Sequence, residues 1–485
     1  MQTFGRKRIF TELEINEENL PQILQNALSI HYQNALEIQN LIDYYTGKQE
    51  ILNRAEAYSS GVNNKVLLNY AQSIVRDIVG YTFGKDIEYV QKKQEFVSQV
   101  EELNTILQYE DVSLVDITAA TFASISGLGY ECTLPSDDYL DETPEVGIKI
   151  SSLDPRTTFV VQSYDIGNPV LLACTFYKTD TKTVYTVFDK EYKTIYSSTG
   201  DIKKEYQIER KKHNLGGIPI SMIENNLFLM GDYETALTVL DAINKVGSDS
   251  VNDIENFVQS LLVFVNATLG DSDEERERAK NDIKDNRIIE IKSPKGLNAD
   301  AKYITQQLNP ESSKSIREYL EESLWKIIGI PDRKTRGGGG GDTGDAVKLR
   351  DGWADIEVVA RNKEKYFKKA KKLQLSIAIN LLKTIGKLSE DLTVKDIDIK
   401  FSRNKSDNLL TKTQSYSTLM GTQTISPLDA LEIVDVTTNV SEVVARGEKY
   451  WQDKKDINQY IDTGIVNTNP TQNQKMEKDM AKNGE

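Results

Sequence analysis

Residues 232–265 read DYETALTVLDAINKVGSDSVNDIENFVQSLLVFV. Leu237, Leu240, Val251, Ile254, Val258, Leu261 and Val265 fall three or four apart once the line is followed through Gly247. Asp241, Asp249, Asp253 and Glu255 take the other positions. This is the pattern of a long amphipathic helix with an acidic polar side. A second helix is announced by Asn309-Pro310-Glu311: a cap residue, a proline suited to the first turn, then an acid. It runs through Ile316, Leu320, Leu324 and Ile327 and is stopped by Gly329 and Pro331. Between the two lies a compact insertion, about 270–307. In it DSDEERERAKNDIKDNR (271–287) predicts a mixed-charge helix and RIIEIKSP (287–294) a short strand.

Upstream, the period changes. KISSLDP, TTFVVQSY, PVLLACTFYKT, TVYTVFDKEY and KTIYSST, between 147 and 210, are β-branched and aromatic runs broken by turn residues such as Gly167-Asn168-Pro169. They predict an antiparallel sheet. Residues 16–110 read as helical, with Leu20, Ile23, Ala27 and Ile30 at helical spacing; further helices are expected over 65–81 and 112–125. Downstream, Arg333-Lys334-Thr335-Arg336 leads into Gly337–Gly341 and Asp342-Thr343-Gly344. A helix over 345–385 would reach ~60 Å. Lys363, Lys365, Lys368, Lys369, Lys371 and Lys372 crowd its middle. Shorter helices fill 407–460, and the polar stretch after 467 is expected to be disordered.

The 485 residues exceed one ordinary core, and 39% hydrophobic with 27% charged residues is a folded composition. Residues 1–10, MQTFGRKRIF, hold no apolar run, and LLVFV (261–265) is far short of a bilayer span. Cys132 and Cys174 have no metal-like spacing and read as buried thiols. The net charge of −15 disfavours a sequence-reading DNA binder, although repulsive walls suit a surface along which DNA must slide.

Enzyme chemistry finds little support. His31 and His213 are the only histidines, and both read as structural or surface residues. Gly80 and Gly84-Lys85 miss the phosphate-loop spacing, and Asp86 stands where Ser or Thr is needed. Asp-Thr-Gly occurs at 342–344 and 462–464, but an aspartic protease needs an apolar strand before the aspartate. The cations at 361–372 form either a nucleic-acid surface or a solvated helix face. Arg333, Lys334 and Arg336 beside a glycine run could touch a phosphate backbone without reading sequence.

Several segments together resemble the portal proteins of tailed bacteriophages, of the siphophage type from Gram-positive hosts. They are NLIDYYTGKQEI (40–51), Asn69-Tyr70 to Gly84-Lys85, LDPRTTFV (153–160), His213 to Pro219 with Asn225-Asn226, and Gly231-Asp232-Tyr233-Glu234 on to Asn252-Asp253-Ile254-Glu255. Ile327-Ile328-Gly329-Ile330-Pro331, leading through the glycine run to Asp345-Ala346-Val347-Lys348, completes the order, although five glycines depart from the family's usual loop.

The resemblance implies an α+β, predominantly helical fold that assembles as a ring. Residues 1–231 would form the wing, with β structure at 147–210. Residues 232–265 and 310–330 would be paired stem helices, with the clip at 266–309 between them. The tunnel loop would be 331–344, a long wing helix and strand 345–404, the crown 405–465 and a disordered tail 466–485. Twelve stem helices packed at ~8–10 Å would leave a bore of about 21–28 Å, enough for duplex DNA. Asp249, Asp253 and Glu255 would line it. Arg333, Lys334, Arg336, Gly337, Gly338, Gly339, Gly340, Gly341 and Asp342 would form the mobile DNA contact. Asp273, Glu274, Glu275, Arg276 and Arg278 would meet the terminase large subunit and later the head-completion or adaptor proteins. Major capsid and scaffolding proteins are further implied partners; no cofactor, metal or membrane is. The alternative is a structural head or scaffold component without DNA passage.

Overall fold

In the computed structural model the described residues are 5–55, 62–136, 147–258, 261–265, 272–285, 300–304, 310–331, 353–403, 409–422, 425–434 and 440–462. The β-branched runs pair as a meander. Strands β5 (Thr158–Ser163), β6 (Val170–Lys178), β7 (Thr183–Phe188), β8 (Tyr192–Ser198) and β9 (Gln207–Lys212) are antiparallel in sequence order, and β1 (Phe10–Thr11) lies parallel beside β5. Gly167 and Asn168, with φ of 90° and 46°, make the turn before β6. Alternation sends Phe159, Val161, Leu172, Tyr185 and Val187 to one face, where they meet Leu20, Ile23, Leu24 and Ala27 of α1 (Leu20–Thr46).

The other face carries Val160, Ala173 and Phe188, which pack on Leu128, Tyr130, Cys132 and Ile220 of a second sheet. That sheet has the order β10 (Ile220–Glu224), β3 (Leu128–Pro135), β4 (Ile148–Leu153). The β region is thus two sheets rather than the single one expected, because β4 pairs with β3 and not with β5.

The helices are α2 (Tyr70–Phe83), α3 (Val97–Tyr109), α4 (Val112–Ser126), α5 (Leu237–Val258), α6 (Asp273–Asp285), α7 (Pro310–Ile328) and α8 (Trp353–Thr384). Helices α9 (Leu409–Gly421), α10 (Pro427–Val434) and α11 (Val440–Asp462) follow. The spine is α8. Its Ile356, Ala360, Phe367 and Ala370 enter a core with α2, α4, α5 and α7, and its Leu375, Ile377, Ala378 and Leu382 enter another with α3.

Three expectations are corrected. The helical reading of 16–110 misses β2 (Glu88–Gln91), which pairs antiparallel with β13 (Ile397–Lys400), some three hundred residues away. Helix α2 begins at Tyr70, not at 65, because the backbone N–H groups of 64, 66 and 68 are bonded to side chains of α5 instead of to their own turn. The helix expected through 265 ends at Val258, and β11 (Leu261–Val265) pairs with β12 (Asp300–Ile304). The strand expected at 287–294, the 333–344 loop and the tail after 467 lie outside the described residues.

Candidate functional site

Helices α5 and α7 pack side by side through Leu237, Leu240, Ile243, Leu324 and Ile328. Gly329, with φ of 75°, ends α7 as its sequence predicts. The buried side of α5 is not only apolar. Asn244, Ser248 and Asn252 lie four residues apart and therefore in line, while alternate residues of an extended chain are in line too. Asn64 N–H donates to Asn252 Oδ1 at 2.7 Å, Val66 N–H to Ser248 Oγ at 2.9 Å, and Leu68 N–H to Asn244 Oδ1 at 2.8 Å. Asn244 Nδ2 in turn donates to Gln49 Oε1 at 2.6 Å. This strap satisfies buried polar groups that would otherwise cost a hydrogen bond each.

The strap also reaches two of the carboxylates expected to line a channel. Arg54 donates to Asp249 at 2.5 Å, and Asn64 Nδ2 to Glu255 Oε2 at 2.6 Å. Asp253 is exposed. Nearer the start of α5, Tyr44 Oη donates to Asp241 at 3.0 Å, and burial raises the proton affinity of that carboxyl. Sequence reading placed the acids on α5 but missed Arg54 and Asn64. Nothing local marks 64–68 as a strap; the signal is the spacing of Asn244, Ser248 and Asn252, three short polar side chains on an otherwise apolar face.

The lysines of α8 are not a uniformly solvated face. Lys363 donates to Asp232 at 2.7 Å and to Asn225. Lys368 meets Asp398 at 2.9 Å, and Lys369 lies 3.8 Å from Glu224. Lys371, with 0% of its side chain exposed, donates to Glu131 and Gln374, each at 2.9 Å, and pairs with Asp116. Desolvation opposes its charge, but Asp116 and Glu131 outweigh it and hold the ammonium protonated. Burial pushes the Asp116 carboxyl well above the usual range. Lys365 and Lys372 remain exposed.

His31 is buried against Phe159 and donates from Nε2 to the Arg156 carbonyl at 2.9 Å. His213 accepts from Leu215 N–H at Nδ1 and donates from Nε2 to the Asp189 carbonyl. Both are structural, as expected, and both cysteines are buried thiols outside any disulfide. Asp462 ends helix α11, so its Asp-Thr-Gly does not follow a strand. Among the described residues no group of three or more His, Cys, Asp or Glu could hold a metal ion.

The chain matches, over residues 25–459, the family model described as phage portal protein, SPP1 Gp6-like. It belongs to that family. No curated protein matches this portal protein. Among solved structures, a chain of the "Neck of empty GTA particle computed with C6 symmetry" is similar at a TM-score of 0.48 and 13% identity, covering 79% of this chain and 98% of that one.

The matched span of the portal protein contains α5, α7 and the insertion between them. In the insertion, Ser272 caps α6 by accepting from Glu275 N–H at 3.2 Å, and Asp273, Glu274 and Glu275 fill the first turn, where acids complement the helix dipole. Asp273, Glu274, Glu275, Arg276 and Arg278 are all exposed, with Arg276 within 3.2 Å of Asp273. Arg333, Lys334, Arg336, Gly337 to Gly341 and Asp342 lie outside the described residues.

Proposed function

We propose that this portal protein forms a ring, of twelve copies, around a channel for double-stranded DNA at one capsid vertex. The observation that carries the reading is the family match over 25–459, which takes in most of α1, every described helix from α2 to α10 and most of α11. The exposed apolar residues of the stem pair support it: Val251 and Ile254 on α5 and Ile316 and Tyr319 on α7 are 40% to 69% exposed in the single chain. A neighbouring copy would cover them, as ring interfaces require.

In this reading α5 and α7 are the stem, and Asp253 is the carboxylate left to face the bore; Asp249 and Glu255 are held by the strap. The clip is 266–309, and the exposed charges of α6 dock the terminase large subunit, which supplies the force, and afterwards head-completion or adaptor proteins. Residues 333–342 form the DNA-facing tunnel loop. The wing and crown meet major capsid and scaffolding proteins. The protein carries no catalysis of its own and is a virion component assembled in the host cytoplasm. No described helix is long and apolar enough to cross a membrane.

Electron microscopy of the purified protein tests the ring. Particles with a central hole wide enough for a duplex are expected. A compact monomer at every concentration, together with genome-filled particles lacking the protein, would overturn the reading. Deleting Gly337–Gly341 should leave the ring intact and impair packaging or DNA retention; normal packaging would remove the loop's assigned role.

A further inference from the structure

We infer that the loop 225–230 is a knob that seats on the N-terminal end of α4 in a neighbouring copy of this chain; this rests on the ring reading above. The loop is held from within. Asn226 Oδ1 accepts from Phe228 N–H and Met230 N–H, both at 3.1 Å, and its Nδ2 donates to the Met230 carbonyl at 2.8 Å. Arg6 N–H donates to the Leu229 carbonyl at 3.1 Å. Leu229 has φ of 55°, a conformation leucine seldom adopts. Two glycines make room: a Cβ on Gly5 would lie 2.2 Å from the Phe228 carbonyl oxygen, and one on Gly127 2.0 Å from that of Leu229. Strain held by this many partners marks a shape the fold is built to keep.

What that shape presents is apolar. Leu229 is turned inward at 2% exposure, while Leu227 and Phe228 stand out at 63% and 68%. Cations outnumber acids nearby. Arg8 donates to the Leu227 carbonyl at 3.3 Å and pairs with Glu224 at 2.8 Å; Lys369 lies 3.8 Å from the same acid, and Lys7, next to Arg8 in the chain, is exposed.

At the far end of α4, about 20 Å from Gly127 at 1.5 Å per residue, the complement appears. Leu114 and Ile117, 65% and 37% exposed, lie one turn apart, beside Tyr109 at 57%. Acids flank this patch. Asp111 precedes the helix as its cap residue, Asp86 accepts from Ser113 Oγ at 2.5 Å, and Lys149 lies 3.5 Å from Glu110.

One chain therefore carries two unlike surfaces, matched in apolarity and opposite in charge, at opposite ends of one helix. That is what a head-to-tail contact repeated around a ring requires. A different partner protein would need only one of them.

The test is the full chain carrying F228C and L114C together, treated with a short bis-maleimide. The native thiols are buried and should stay silent. A covalent ladder extending to the ring is expected, with neither single variant going beyond a dimer. Rings by electron microscopy without a ladder overturn the knob and leave the ring reading standing. If the wild type forms no ring, the ring reading falls first and takes the knob with it. As a second measurement, Phe228→Ser should raise the concentration for half-assembly by roughly tenfold or more. The thermal midpoint of the dilute chain should not move, because the ring is exposed there. Unchanged assembly refutes the inference.

Discussion

Lys371→Met deletes the charge of a fully buried cation while keeping nearly the volume of its stem. Lys371 and Glu131 have 0% side-chain exposure and Asp116 has 5%, so two carboxylates would be left without their ammonium. Breaking a buried ion pair from one side costs about 3–5 kcal/mol, a large part of the ~5–15 kcal/mol that holds a domain together. The deficit must depend on pH. Burial already raises the folded pKa of Asp116 above its unfolded value, so this carboxyl binds its proton more tightly in the folded state. Its favourable contribution is full below the unfolded pKa and is lost as pH rises through the folded one. Without Lys371 that loss grows. Lys371→Met should therefore be least stable near about pH 8 and recover toward about pH 5, by up to ~1.4 kcal/mol per unit for each carboxyl that titrates. Adding Asp116→Asn and Glu131→Gln should restore most of the loss. Urea unfolding followed by circular dichroism at the two pH values measures both. A Lys371→Met midpoint equal to wild type, or a deficit flat in pH, would refute the reasoning.

Burial lowers the pKa of His31 from 6.5 to about 4, so its neutral form contributes stability that is present above 6.5 and lost as pH falls toward 4. His31→Gln should flatten the stability profile in that window, and an NMR titration should find the ring neutral at about pH 6. Asn244→Ala removes the acceptor for Leu68 N–H and the donor to Gln49. About 1–3 kcal/mol of stability should go, and hydrogen exchange at Leu68 should accelerate while the amides of β7 stay unchanged.

Much of the fold is legible because its signals are local. The β runs of 158–198, the bounds of α4 and the start and stop of α7 follow from period, caps and punctuation within a few residues. What was missed depends on distant partners. Glu88–Gln91 is too short to stand out among helices and is a strand only because Ile397–Lys400 pairs with it. Leu261–Val265 continues the helical spacing of α5, and an apolar run of five cannot declare its period without β12. The lysines of α8 read as one basic face, yet Lys371 and Lys363 find their acids on β3, α4 and the segment after β10. For the site, the acids of α5 were visible, but that Arg54 and Asn64 engage two of them was not.

The strap along α5 works as a vernier. Two extended residues advance about 6.7 Å and four helical residues about 6.0 Å, so the mismatch reaches roughly 1.4 Å over the three matched positions. The pairs run from Leu68 with Asn244 to Asn64 with Asn252. Because helical side chains come into line only once per turn, the next register that pairs again lies a full turn, about 6 Å, along α5. Axial load on α5 meets a detent that holds or lets go as a unit.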